Sequence, residues 1–306
     1  DQAVFVTVVS FYANHPGSVW NEVARQDLAT SPLGNVAAIS CHNCYSGASD
    51  SILSATAANT QINTALGNDA DMIEIDVVAI ADVLYAAHTD ASSSPGSRPL
   101  FTDLLGNQTL KNSDVLLLIE IKESTGPMGP MDEDAFATLL LDTLDGHRDY
   151  AKNGRPLYVR GFSSAIDYLA AIRVALDDGR YPMIANYIRL GVIFSDSMTD
   201  LPDAYANINT YVVDNGFDAV EFEYTSSNLL GLIHYAHDQD LMAGVWTAPK
   251  SFGEVFIAAQ SGAVETSRSR HIEEIRVAFE ESVAQHVVSD VPVGLFTCVT
   301  GVSGSG

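Results

Sequence analysis

The sequence is short of positive charge. Lysine and arginine number 15 among 306 residues, against 39 aspartates and glutamates, so the formal charge is 15 − 39 = −24. Neutralising a phosphate backbone takes a basic patch. No Lys/Arg run supplies one, which argues against a nucleic-acid binder. An anionic membrane surface would repel the same chain. Long apolar runs are also missing, and none approaches the roughly 20 residues that cross a bilayer. Cysteine is scarce, limited to Cys41, Cys44 and Cys298. One Cys-x-x-Cys without a second pair is a weak zinc signal, and an odd count leaves at least one thiol over. Cys44 with Cys298 is one pairing open to the chain. Internal repeats and linkers rich in Pro, Gly or Ser are absent, so nothing marks a modular array.

What is present is apolar substance. Apolar residues make up 47% of the chain and charged ones 18%, which excludes a disordered tail protein. The chain starts at Asp1 without Met and without a basic-then-apolar leader, as a processed, exported protein or a trimmed one would. Asn107-Gln108-Thr109 fits the glycosylation pattern, which is common by chance. Ser303-Gly304-Ser305-Gly306 reads as a flexible end.

Short apolar runs alternate with helical patterns. The runs are 36–42, 71–80, 83–88, 114–122, 157–162, 188–195, 217–224, 241–247 and 287–290. Helix-length segments lie between most of them, at 51–66, 133–144, 164–176, 227–238 and 252–261. Such alternation predicts βα units on a parallel sheet. With 83–88 folded back as a hairpin on the run before it, eight runs remain, the number that closes a (βα)8 TIM barrel. The expected organisation is an N-terminal extension over 1–34 carrying Trp20, one barrel domain over 35–298, and a tail over 299–306. An inserted or long helix over 266–285 precedes the last strand.

The charges are informative because of where they sit. In Met72-Ile73-Glu74-Ile75-Asp76-Val77 two carboxylates alternate with aliphatic residues. Side chains alternate faces along a strand, so Glu74 and Asp76 share one face and Ile73, Ile75 and Val77 the other. Barrel helices cover the aliphatic face, so the carboxylates point inward. By the same parity Glu120 and Lys122 point inward from Leu118-Ile119-Glu120-Ile121-Lys122. Burying such charges costs several kcal/mol each unless they pair or bind a metal. Three inward carboxylates exceed one inward Lys, and a divalent cation is the simplest remedy. An all-oxygen set selects a hard ion, Mg2+ or Ca2+. A structural salt-bridge network is the alternative. Four such charges at the C-terminal ends of two strands favour a site, since barrel active sites lie at that end.

Two histidines extend the pattern. His42 ends the first run and His88 follows Val83-Leu84-Tyr85-Ala86-Ala87. Each sits where a strand meets its loop, on either side of the carboxylate strand, and the two suit a general acid and a general base. His234 and His237, three apart on a helical pattern, are a weaker metal signal. His15, His147, His271 and His286 read as surface or structural. On the sixth strand Glu221 and Glu223 also point inward, to recognise a cationic head group or to pair with Arg160 or Arg189. Trp246, ending the seventh, can stack on a quaternary ammonium or cap the core.

The series His42-Asn43, Glu74-Ile75-Asp76, Ala87-His88-Thr89-Asp90 and Glu120-Ile121-Lys122 resembles the glycerophosphodiester phosphodiesterase family. More broadly it is similar to the superfamily that also holds sphingomyelinase D toxins, bacterial lysophospholipase D and phosphatidylinositol phospholipase C. Arg160-Gly161-Phe162-Ser163, Val245-Trp246-Thr247 and Ser289-Asp290-Val291-Pro292 match later strand ends. The resemblance implies that Glu74, Asp76 and Glu120 hold the metal, His42 and His88 form the catalytic pair, and Lys122 contacts the phosphate. Asn43, Trp246 and Glu223 are further substrate-binding candidates. His42-Asn43 replaces the family's His-Arg-Gly, which removes a phosphate contact. The polar loop 89–97 is long enough for a lid. The implied substrate is a phospholipid, a lysophospholipid or a glycerophosphodiester, cut by an exported monomer in phospholipase D fashion. Phospholipase C-type cleavage, a glycosidase barrel using paired carboxylates and a non-catalytic phosphate binder are the competing readings.

Overall fold

The computed structural model describes residues 6–10, 37–47, 52–67, 72–88, 96–113, 115–122, 131–151, 157–199, 203–223, 226 and 228–248. The expected strand over 287–290, the helices over 252–261 and 266–285, Trp20, the loop tip 89–95, the tail and Cys298 lie outside them.

Among the described residues nine strands form one mixed sheet. They are β1 (Val6–Ser10), β2 (Ala37–Cys41), β3 (Met72–Ile80), β4 (Val83–Ala86), β5 (Leu116–Ile121), β6 (Leu157–Phe162), β7 (Ile188–Ile193), β8 (Ala219–Glu223) and β9 (Met242–Ala248). The spatial order is β2-β1-β9-β8-β7-β6-β5-β3-β4, and β2 also pairs with β3. Strands β2, β3 and β5 to β9 run parallel to one another. Long helices cover the connections, among them α1 (Ala55–Gly67), α2 (Glu133–Gly146), α3 (Ile166–Asp177) and α4 (Leu229–Asp238). Among the described residues this is a mixed α/β architecture with seven parallel strands, and the full eightfold barrel is not shown. Between β9 and β2, where an eighth parallel strand was expected, β1 runs antiparallel to both. Residues 6–10, expected in an extension, are Val-Thr-Val-Val-Ser, a β-branched run suited to a pleated surface.

The expected hairpin is present: β4 pairs antiparallel with β3, with Ile80 opposite Val83. Its two-residue turn has Ala81 at φ 50° and Asp82 at φ 60°, the positive angles of a type I′ turn. The helix expected over 133–144 starts at its expected residue, Glu133. Asp132 accepts from the Ala135 N–H and starts α2, as an N-cap aspartate does. Asn107 is buried and its side chain caps the short helix Gln108–Asn112. Its amide also donates to Asn63, so the glycosylation pattern there is spent on structure.

Strand parity divides the core in two. Ile73, Ile75, Val77, Ile119, Ile121, Val159, Leu190, Val192 and Val220 face the helices and belong to the large cluster. Met72, Leu116, Leu118, Tyr158, Ala219 and Met242 form a separate cluster on the other face. Close packing there demands glycine: a Cβ on Gly191 would lie 2.2 Å from the Tyr158 hydroxyl, and one on Gly244 would lie 2.5 Å from Glu221 Cγ. The inner face is therefore an apolar floor at the strand starts, with the charged residues above it.

Candidate active site

The charged layer begins two residues beyond that floor. Glu74 and Asp76 are fully buried, and Glu120, Arg160 and Glu221 are almost so. Strand register aligns them: Asp76 lies opposite Glu120, and Glu120 opposite Arg160. Lys122 follows the last residue of β5, its backbone N–H donating to the Val77 carbonyl at 3.0 Å. Its ammonium lies 3.1 Å from Asp76 Oδ1, pairs with Glu120 and sits 5.8 Å from the centre of the Phe162 ring.

Arg160 is the cation that holds the rest. Its guanidinium pairs with Glu221, donates to Glu120 Oε2 at 2.9 Å and lies 3.8 Å from Glu74 Oε1. Of the two partners open to Glu221, the structure selects Arg160. Arg189 instead lies 3.9 Å from Asp218. Arg160 stood in the sequence only as one partner open to Glu221; parity applied to β6 would also have put it on the inward face, since it sits between Val159 and Gly161 as Glu120 sits between Ile119 and Ile121.

The turn after β2 delivers the other half. Cys41 and Cys44 form a disulfide with Cα atoms 5.6 Å apart, which corrects the Cys44–Cys298 pairing: a bridge three residues apart closes within one turn. Asn43 takes the left-handed conformation at φ 53°, which Asn adopts more readily than other non-glycine residues. Its backbone N–H donates to Glu74 Oε2 at 2.6 Å and its amide nitrogen lies 3.2 Å from His88 Nδ1. Tyr45, absent from the sequence reading, donates its hydroxyl to Asp76 Oδ2 at 2.7 Å. His88 Nδ1 lies 3.1 Å from that same oxygen. The His42 and His88 rings stand edge to face with centroids 6.0 Å apart. Nothing in the period-2 pattern points to Tyr45, because it sits in a turn.

The environment separates the protonation states. Burial, helped by the Arg160 guanidinium, lowers His42 to about 4, so its imidazole is neutral at pH 7. Burial, then Asp76 and Glu120, push Glu74 well above the usual carboxylate range, against Arg160 and the Asn43 N–H. Burial would raise Asp76 too. The His88 hydrogen bond, the Lys122 ammonium and the Tyr45 hydroxyl outweigh it and hold Asp76 well below its ordinary value. Burial opposes the charge on Lys122, but Asp76 and Glu120 raise it overall. Two carboxylates one residue apart are thereby driven in opposite directions, a pattern typical of functional sites.

One potential metal-binding group among the described residues is His42, Glu74 and Glu120, whose donor atoms lie within 4.8 Å of one another. Asp76 is not in that group. Its oxygens face Lys122, Tyr45 and His88. The residues fit a cation on two counts. Among the described residues four contiguous buried acidic groups (Glu74, Asp76, Glu120, Glu221) face two cations (Lys122, Arg160), an excess of 4 − 2 = 2 acidic groups that helps push Glu74 toward its protonated form. Buried Glu74 Oε1 has no hydrogen-bond partner among the described residues. Glu223 is half-buried at the end of β8 and in register with Trp246 of β9. The side chains of Trp246, His234 and His237 lie outside the described residues.

Fold and site together define a mixed α/β protein with a buried carboxylate, histidine and basic-residue centre at one end of its parallel strands. No protein-family profile matches the chain, and no curated protein matches its sequence. A solved structure similar to part of it is the glycerophosphodiester phosphodiesterase from Agrobacterium tumefaciens str. C58. The identity is 17%, the match covers 60% of this chain and 76% of that one, and the TM-score is 0.35. At that level the likeness assigns no role to any residue here.

Proposed function

We propose that the protein is a metal-dependent phosphodiesterase built on a (βα)8-type barrel. The observation that carries this reading is the convergence of Glu74, Asp76, Glu120, His42, His88 and Lys122 in one connected cluster. A divalent cation, Mg2+ or Ca2+, would be held by Glu74 and Glu120 with Asp76 beside them, which leaves the His42 lone pair for the reaction. When bound it polarises a phosphoryl oxygen and offsets the charge that develops there. Lys122, a fixed ammonium at the rim of the cluster, contacts the phosphate. His42, neutral at pH 7, supplies the lone pair that attacks phosphorus or takes the proton of the attacking group. His88 protonates the leaving oxygen. The acidic excess, with Glu223 and Trp246 in register, supports a cationic head group on a lysophospholipid, phospholipid or glycerophosphodiester. A glycosidase reading loses ground because Glu120 and Glu221 are both tied to Arg160.

The test is release of head group from lysophosphatidylcholine, lysophosphatidylethanolamine, sphingomyelin, glycerophosphocholine and phosphatidylinositol, with and without chelator. The expected result is free choline or ethanolamine, lost with chelator and restored by Mg2+ or Ca2+. Phosphorylated head group would move the cut to phospholipase C chemistry. Turnover indifferent to chelator would remove the metal, and no turnover on any substrate would reject the proposal.

A further inference from the structure

Tyr45 has no part in the reading above, yet it touches the centre of the site. It is 3% exposed, and its hydroxyl donates at 2.7 Å to Asp76 Oδ2. That oxygen is also 3.1 Å from His88 Nδ1, while the other Asp76 oxygen lies 3.1 Å from Lys122. A carboxylate that meets an ammonium on one oxygen and a phenol O–H on the other accepts on both. The His88 nitrogen at the shared oxygen is then a proton donor, which turns the other ring nitrogen, Nε2, toward the reaction: it carries the second proton in the imidazolium and a lone pair once that proton is given up. We propose that Tyr45 is a positioning residue that fixes the Asp76 carboxylate and, through it, the tautomer and ring orientation of His88. The inference rests on the phosphodiesterase reading only for the catalytic use of His88.

The geometry favours this over a packing role for the phenol. A phenylalanine ring would fill the same space, but only the hydroxyl reaches Asp76. The residue also belongs to the same turn as His42 and Asn43, so one segment contacts Glu74, Asp76 and His88 together. Partners of this kind, one shell out from the reacting groups, are worth about 10- to 100-fold in activity.

Tyr45→Phe tests it with two readouts. In 15N-labelled, metal-free protein the wild-type His88 ring is expected to be protonated at Nδ1, and Tyr45→Phe to shift its nitrogen signals toward the other tautomer. On glycerophosphocholine, kcat is expected to fall about 10- to 100-fold with KM held within about twofold. Replacing Tyr45 with 3-fluorotyrosine keeps the hydroxyl and is expected to keep kcat. Should Tyr45→Phe fail to fold, this second variant decides, because its more acidic hydroxyl must move the His88 signals if Asp76 connects them. Wild-type His88 protonated at Nε2 alone, or signals and kcat unchanged in Tyr45→Phe whatever its melting temperature, would overturn the proposal. If the wild type cleaves no phosphodiester, the function assigned above falls while the His88 spectra still decide the role of Tyr45.

Discussion

Replacing Arg160 by methionine should unbalance the buried charge layer. Arg160 is 1% exposed and contacts Glu221, Glu120 and Glu74. With it, four carboxylates face two cations. Without it, they face only Lys122, and the excess rises from 2 to 4 − 1 = 3. Methionine fills the volume of the aliphatic stem, so the cavity contribution is small. Breaking a buried pair by removing one partner costs about 3–5 kcal/mol. The loss depends on pH with a definite sign. Burial already raises the Glu221 carboxyl, and Arg160 is the main force opposing that rise. Deleting Arg160 raises it further, and a group with a raised folded pKa loses its contribution as pH climbs through that value. The destabilisation should therefore be larger at pH 8 than at pH 5. Urea unfolding at both pH values, with chelator present, measures it. Arg160→Met with Glu221→Gln should recover about 1–3 kcal/mol through coupling. A loss below about 1 kcal/mol at pH 8, or one indifferent to pH, would refute the charge accounting.

Three further outcomes follow from the same structure. Cys44→Ser opens a loop of four residues and should lower stability by about 2 kcal/mol on the chain-entropy account, read by urea unfolding; alkylation of both thiols in the untreated, unfolded protein would contradict the bridge. Ala81→Gly relieves a left-handed alanine at φ 50° and should raise stability by up to about 1 kcal/mol; a lower urea midpoint would argue against the I′ turn. Cation binding should release protons and tighten as pH rises, because Glu74 is pushed up by burial and its acidic neighbours and must lose its proton to ligate. Calorimetry in two buffers of different ionisation enthalpy detects the release, and identical heats after correction would count against Glu74 as a ligand.

Much of the site was legible because strand parity is rigid. Two faces and a period of two suffice to put Glu74, Asp76, Glu120 and Lys122 on one side and Ile73, Ile75, Val77, Ile119 and Ile121 on the other. The same rule, not applied to β6, would have put Arg160, named only as a partner open to Glu221, on the charged side as well. Val6–Ser10 was assigned to an extension although its β-branched residues suit a strand, and its place between β2 and β9 depends on pairing across more than 200 residues of chain. The disulfide was misjudged for a related reason. Spacing alone leaves Cys44 two partners, and only the turn that carries Asn43 at positive φ brings Cys41 within reach.

The sequence by itself determined the class of chain, the alternation of strands and helices, and which carboxylates share a buried face, since these follow from composition and local periodicity. Tertiary structure alone decided which charge meets which. Glu221 with Arg160, Asp76 with Tyr45 and His88, and His42 beside Glu74 and Glu120 are contacts between segments far apart in the chain. Electrostatic energy falls with distance and rises with burial, and both are set by how the strands pack.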